Sequence, residues 1–269
     1  MKILANMKNR LFKYNWSIAL LLGLGIWGVS GSLAEAQTAD APKKLQTIIS
    51  EIEAAANDKD ISAVMEYYSS EYTNTDGLSR SSLSQALSQM WEDYSNLNYT
   101  TTIESWENNG NELVAETSTK ISGTKNNQGR DVRLDSTLRS RQYFQDGKII
   151  RQEILSEETK LTSGQNPPQI EVFAPKTVET GEQYNFDVVV TEPLQQDVLL
   201  GAVEEERTTS DRYLNPTALE LQPLSAGGIY KLVTAPLLPD SNWLSTILVR
   251  GDGITMFTQR VNVEERGAE

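Results

Sequence analysis

The hexapeptide Phe144-Gln145-Asp146-Gly147-Lys148-Ile149 decides how this chain is read. Asp-Gly between two alternating runs is the pair a two-residue hairpin demands: both turn positions need positive φ, which Gly adopts freely and Asp tolerates. The hairpin joins a run at 131–145 to one at 148–160. Toward the N-terminus, Asn126-Asn127-Gln128-Gly129 separates 131–145 from a run at 113–124, and Asn108-Asn109-Gly110 closes an earlier run from Tyr99. There Tyr99, Ile103 and Ser105 alternate with Thr100, Thr102 and Glu104. Four strands joined by short turns predict an antiparallel meander.

Upstream the period changes to that of a helix. Leu45, Ile48, Ile49 and Ile52 form the i, i+3, i+4, i+7 stripe of an amphipathic helix. A second helix is expected after Asp60, with Ile61, Val64, Met65 and Tyr68 on one face and Tyr72 a turn further on. A third is expected to open on a capping box of Ser82 and Gln85 and to run through Leu83, Leu87, Met90, Trp91 and Tyr94. Three helices followed by a meander predict an α+β fold in which the helices cover one face of a curved antiparallel sheet.

This element order, together with the aromatic-Asp-Gly-Lys-Ile hairpin at 144–149, resembles the nuclear transport factor 2-like superfamily (SnoaL-like domains included) over about residues 41–160. The resemblance implies a sheet wrapped around the helices into a cone. It also implies a pocket at the open end, which some members use for isomerase, dehydratase or hydrolase chemistry and others for binding alone. No catalytic residue of the superfamily matches a position in this sequence, so no catalytic residue is assigned.

Leu161 to Pro168 breaks the composition: it has no periodicity and ends in Pro-Pro, which favours an extended spacer. The expected layout is a domain at 41–161, a linker at 162–168 and a second domain at 169–264. The second reads as seven short strands, at 170–173, 183–191, 198–203, 218–221, 229–235, 243–250 and 254–263. That density of strands and turns predicts an antiparallel β-sandwich resembling bacterial immunoglobulin-like domains.

The first 36 residues read as a secretory signal peptide. Lys2, Lys8, Arg10 and Lys13 precede an apolar run from Trp16 to Val29, and Ala34-Glu35-Ala36 offers the small-x-small pattern of a cleavage site before Gln37. The apolar run would span ~21 Å as a helix, short of a ~30 Å hydrocarbon core, so a cleaved leader rather than a membrane span is expected. The expected destination is the periplasm or an equivalent extracytoplasmic compartment, or the medium.

Composition narrows the chemistry. The chain carries 24 Lys+Arg against 37 Asp+Glu, a net charge of −13, and loss of the leader makes it more acidic still. Such a field repels nucleic acid. With neither Cys nor His anywhere, disulfides, thiol nucleophiles, imidazole-based triads and thiolate or imidazole metal sites are excluded. No cofactor and no metal site is expected.

The candidate ligand-binding residues are Tyr68, Met90, Trp91 and Tyr94 on the helices and Ile103 and Phe144 on strands expected to face them. Together they would line an apolar cavity or simply fill the core. Glu92 and Asp93 are the carboxylates nearest this group, and the solvated side of the helix is expected for both. Arg133, Arg139 and Arg141 share one strand face and are expected to pair with Glu104, Glu116 and Glu153 on neighbouring strands. Asp58-Lys59-Asp60 and Glu204-Glu205-Glu206 do not fit a calcium loop. These residues predict a non-catalytic envelope protein whose cone holds a small hydrophobic ligand or a protein partner. The rival is an enzyme of the isomerase, dehydratase or hydrolase class using a carboxylate or Tyr for proton transfer. A third option places the function on the sandwich, through glycan or an assembly partner.

Overall fold

The computed structural model describes residues 41–127, 129–194, 197–225 and 227–267; the expected leader at 1–36 lies outside them. Helix α1 (Lys43–Asn57) buries Leu45, Ile48, Ile49, Ile52, Ala55 and Ala56, the stripe read from the sequence. Asp60 opens α2 (Ile61–Glu66), its side chain accepting from the Ala63 amide at 3.0 Å. The second helix is shorter than expected. It ends at Glu66, and Tyr68–Asn74 is strand β1, which runs parallel to β5 (Lys148–Ser163), with Tyr68 opposite Ile149 and Asn74 opposite Gln152. Tyr68 and Tyr72 sit four apart, a spacing that serves one helix face and one strand face equally. The edge of β5 decides between them by offering unpaired backbone groups: the Ile149 amide donates to the Tyr67 carbonyl at 2.7 Å.

Helix α3 (Arg80–Asp93) starts before the expected cap. Ser79 is the N-cap and makes a reciprocal box with Ser82, whose hydroxyl accepts from the Ser79 amide. The meander follows as β2 (Asn96–Asn109), β3 (Glu112–Asn127), β4 (Arg130–Gln145) and β5, all antiparallel neighbours. The hairpin at Asp146-Gly147 has φ of 52° and 82°, the left-handed pair its composition called for. Extra residues in the pairing, Glu104 on β2 and Ile150 and Leu155 on β5, bend the strands so that the sheet curves around the helices. The core inside that curve joins Leu45, Ile52 and Met65 of the helices to Ala115, Ile121, Leu138 and Phe144 of the sheet.

The C-terminal part contributes β6 (Ile170–Phe173), β7 (Thr177–Glu179), β8 (Gln183–Val190), β9 (Leu199–Arg207), a short helix α4 (Ser210–Leu214), β10 (Gln222–Pro223), β11 (Gly228–Thr234), β12 (Asp240–Arg250) and β13 (Gly253–Glu264). Residues 218–221, expected as a strand, do not form one; Leu219 and Leu221 instead pack as loop residues against Ile247 and Val249. Two features reshape the expected layout. Strand β13 pairs antiparallel with the far end of β5, from Ile254–Ser163 to Gln259–Glu158, so that one sheet runs β10-β9-β12-β13-β5-β4-β3-β2 through both parts of the chain. Thr162 and Ser163 of the expected linker therefore lie inside β5, and the Pro168 carbonyl accepts from the Thr255 hydroxyl at 2.7 Å. A separate three-stranded sheet, β11-β8-β6, lays Phe186, Val188, Ile229 and Val233 against Leu244, Leu248, Val261 and Val263 of the long sheet.

Gly164 sits where β5 ends. Its φ is +89°, and a Cβ there would lie 2.2 Å from the Asp252 carbonyl oxygen of the β12–β13 turn. Gly164→Ala is therefore expected to destabilise the protein by at least about 2 kcal/mol, from the left-handed backbone and the forced displacement of that turn. Urea unfolding measures it; an unchanged midpoint would mean that the turn yields freely.

Candidate functional site

All six residues expected to line a cavity come together in or against one core cluster. Tyr68, Met90, Trp91, Tyr94 and Phe144 are buried there, and Ile103 packs at its margin. Trp91 Nε1 donates to the Tyr99 hydroxyl at 2.9 Å, which in turn lies 3.7 Å from the Met90 sulfur. Tyr68 meets Tyr72 edge-on, with ring centroids 4.9 Å apart. Burial pushes the Tyr99 hydroxyl up to about 12 and those of Tyr68 and Tyr94 higher, so all three stay neutral.

The sheet facing these aromatics is more polar than the candidate set implied. Thr117, Thr119, Ser136, Ser140, Gln142 and Gln152 are all buried. The Tyr72 hydroxyl donates to Gln152 Oε1 at 2.6 Å, and Gln152 Nε2 donates to the Ser140 hydroxyl at 2.8 Å. Directly opposite Gln152 on β4 stands Gln142, which is wholly inaccessible. Both its amide atoms lack a hydrogen-bond partner among the described residues, as does the Thr117 hydroxyl on β3. The signal for this row was present in the sequence: Ser136, Ser140 and Gln142 fall on the same parity of β4 as Leu134, Leu138 and Phe144, and polar residues on a core parity require an explanation.

A second buried polar group sits where the two parts of the chain meet. Arg260 on β13 makes a two-pronged contact with Asp76, from the β1–α3 loop, at 2.9 Å from Nη1 to Oδ1 and 2.6 Å from Nη2 to Oδ2. Nη1 also reaches the Ser241 hydroxyl at 2.8 Å. The Tyr213 hydroxyl of α4 donates to Asp76, and Trp243, the cross-strand partner of Arg260, donates its indole N–H to Glu157 at 2.7 Å. Arg260, Asp76 and Glu157 have no exposed side-chain surface. Burial alone would raise the Asp76 carboxyl, but the Arg260 charge and its hydrogen bonds hold it below its ordinary 3.8. For Glu157 burial wins: Arg260 lies 3.5 Å away, too far to compensate, and the carboxyl is pushed up to about 7.

Most of the remaining candidates are engaged in ion pairs or caps, whereas Arg133, expected to pair, and Glu92 are exposed. Arg139 pairs with Glu104 at 3.0 Å, and Arg141 with Glu116 at 2.7 Å and Glu153 at 3.1 Å, the ladder expected from the sequence. Arg133 is exposed on the same strand. Asp93 pairs with Lys125 at 3.0 Å, and Glu92 is exposed. Within Asp58-Lys59-Asp60, Lys59 donates to the carbonyls of Trp91, Tyr94 and Ser95 and so caps the end of α3. Glu205 and Glu206 pair with Lys231 and Arg212. No cluster of three or more carboxylates able to hold a metal occurs among the described residues.

A model for a domain of unknown function, DUF8623, matches residues 165–264. No curated protein matches the chain. Similar solved structures include Bd1075 of Bdellovibrio bacteriovorus, at 15% identity over 42% of this chain and 39% of that one, with a TM-score of 0.31. This chain thus spans about two-fifths of Bd1075. A protein with a ketosteroid isomerase-like fold from Catenulispora acidiphila, solved with trimethylamine, is 14% identical over 40% of this chain and 82% of that one, with a TM-score of 0.31. An epoxide hydrolase of Mycobacterium tuberculosis described as LEH-like is 12% identical over 42% and 81%, with a TM-score of 0.30. Fold likeness of this kind carries no statement about activity.

Proposed function

We propose that the protein is an exported, non-catalytic binding protein of the cell envelope whose nuclear transport factor 2-like half holds a small molecule with an apolar body and one polar head. The C-terminal strands are read as an immunoglobulin-like sandwich that braces this half. The observation that carries the reading is the Gln142 amide, buried with neither donor nor acceptor engaged, beside the Thr117 hydroxyl in the same state. Leaving such groups unpaired costs on the order of 1–3 kcal/mol each, so native proteins keep them where a water or ligand answers them. An alcohol, amide or acid head would engage the amide, and its body would lie against Tyr68, Met90, Trp91, Tyr94, Ile103 and Phe144. The leader-like residues 1–36 support export. The buried carboxylates support binding over catalysis, because Asp76 and Glu157 are committed to Arg260 and Trp243.

Native mass spectrometry of protein purified gently from the envelope tests this, with a bound small molecule of fixed mass expected. Gln142→Leu should abolish its retention and should also stabilise the ligand-free protein by about 1–3 kcal/mol in urea, since an apolar side chain removes the unpaired amide. A loss of stability in Gln142→Leu would mean that the amide is already satisfied. The enzyme reading keeps one observation in its favour: a Glu157 carboxyl near neutrality, as acid-base catalysis requires. Turnover abolished by Glu157→Gln in a folded protein would establish it.

A further inference from the structure

From the outward face of the three-stranded sheet we infer a second binding site, independent of the cone, for a neutral, extended polysaccharide. The register of β6, β8 and β11 sets Phe173, Asp187 and Tyr230 in one cross-strand row, with Asn185 and Leu232 in the next and Glu171 and Val189 on the other side. Phe173 is 55% exposed, Tyr230 61% and Leu232 63%, an unusual concentration of large apolar side chains in water. The two aromatic residues stand two strands apart, about 9.5 Å, with a carboxylate between them.

The chemistry of the row selects its occupant. Sugar rings present C–H faces that stack on aromatic rings and equatorial hydroxyls that donate to carboxylates and amides. A row of ring, Asp187, ring, with Asn185 alongside, matches successive rings of a ribbon-like, β-linked chain. No Lys or Arg is among the outward-facing residues of the three strands; Lys231 points inward to Glu205 at 3.5 Å. In a protein of net charge −13, a cation-free face carrying Asp187 and Glu171 disfavours anionic polymers. A second copy is disfavoured for the same reason. Two-fold pairing of this face would press its carboxylates together without a cation, whereas the hydroxyls of a neutral glycan supply the donors they lack.

Affinity electrophoresis of the purified protein through gels containing hydroxyethylcellulose or barley β-glucan, largely β-1,4-linked, tests the site, with dextran, a flexible α-linked chain, as comparator. Retardation is expected in at least one β-glucan gel, not in dextran, and is expected to be insensitive to salt. Tyr230→Ala and Phe173→Ala should each weaken it at least about tenfold, Tyr230→Phe should retain it, and all three should keep the parental urea midpoint because these side chains are exposed. Absence of retardation in both β-glucan gels would overturn the inference, as would equal retardation of the Phe173→Ala/Tyr230→Ala double variant. A dimer in sedimentation that Tyr230→Ala dissolves would reassign the face to self-association.

Discussion

Arg260→Met is expected to lower the stability of the protein by about 3–5 kcal/mol. Removing one partner of a fully buried ion pair leaves the other charge without compensation, here the Asp76 carboxylate. Asp76 would retain only neutral hydroxyl donors, Tyr213 and Thr208, and Glu157 the Trp243 indole. At roughly 2–4 °C per kcal/mol for a chain of this size, the melting temperature should fall by about 6–20 °C. Arg260→Lys should not rescue it, because a single ammonium cannot span both oxygens of Asp76 as Nη1 and Nη2 do. Adding Asp76→Asn to Arg260→Met should restore part of the loss, since the stranded charge is then gone. Because Asp76 and Arg260 join the N-terminal and C-terminal parts of the chain, the single variant should also broaden the unfolding transition. A loss below about 1 kcal/mol would mean that water reaches the cluster.

The same cluster should make stability fall as pH rises through neutrality. Burial raises the Glu157 carboxyl from its ordinary 4.5 to about 7. Between those values the folded protein holds a proton that the unfolded chain has released. The contribution of Glu157 is therefore complete below about pH 4.5 and lost as pH climbs through 7. Asp76, lowered by Arg260, acts in the opposite sense: its contribution is present above 3.8 and lost as pH falls through its depressed value. Stability should peak on the mildly acidic side, with an alkaline limb of a few kcal/mol, since each tenfold change in a group's acidity on folding is worth on the order of 1.4 kcal/mol. Glu157→Gln should flatten that limb and be at least as stable as the parent at pH 8, since a neutral amide carries no buried charge. Urea midpoints at pH 5, 6, 7 and 8 for the two proteins measure it. A parallel decline in both would assign the limb to another group.

These two effects arise from residues that sequence reading passed over, for physical reasons. Strand parity places Glu157 outside with Glu153; the extra residue Leu155 shifts the register so that Glu157 stands opposite Leu138 and faces inward. One bulge thus converted a solvated acid into a buried one. Arg260 lies in a strand whose two faces are both covered, so alternation carried no information about its burial. Its partner, Asp76, is 184 residues away in the β1–α3 loop.

The local signals held where a few neighbouring residues fix the backbone. The α1 stripe, the left-handed pair Asp146-Gly147, the order of helices and meander, and the Arg139 and Arg141 ladder are all consequences of periodicity, turn chemistry or adjacency across a hairpin. The spacing of Tyr68 and Tyr72 reads as a continuation of the second helix, but the edge of β5, supplied from about 80 residues downstream, makes Tyr68–Asn74 a strand. The same strand, by accepting β13 along its far half, joined two segments that composition divides at Pro167-Pro168. Sequence alone thus determined the order of the helices, the first helix's buried stripe, the hairpin turns and the absence of His and Cys chemistry. Tertiary structure decided which edges met, which polar side chains were left without partners, and which charges were buried together, because edge pairing, register shifts and desolvation depend on groups far apart in the chain.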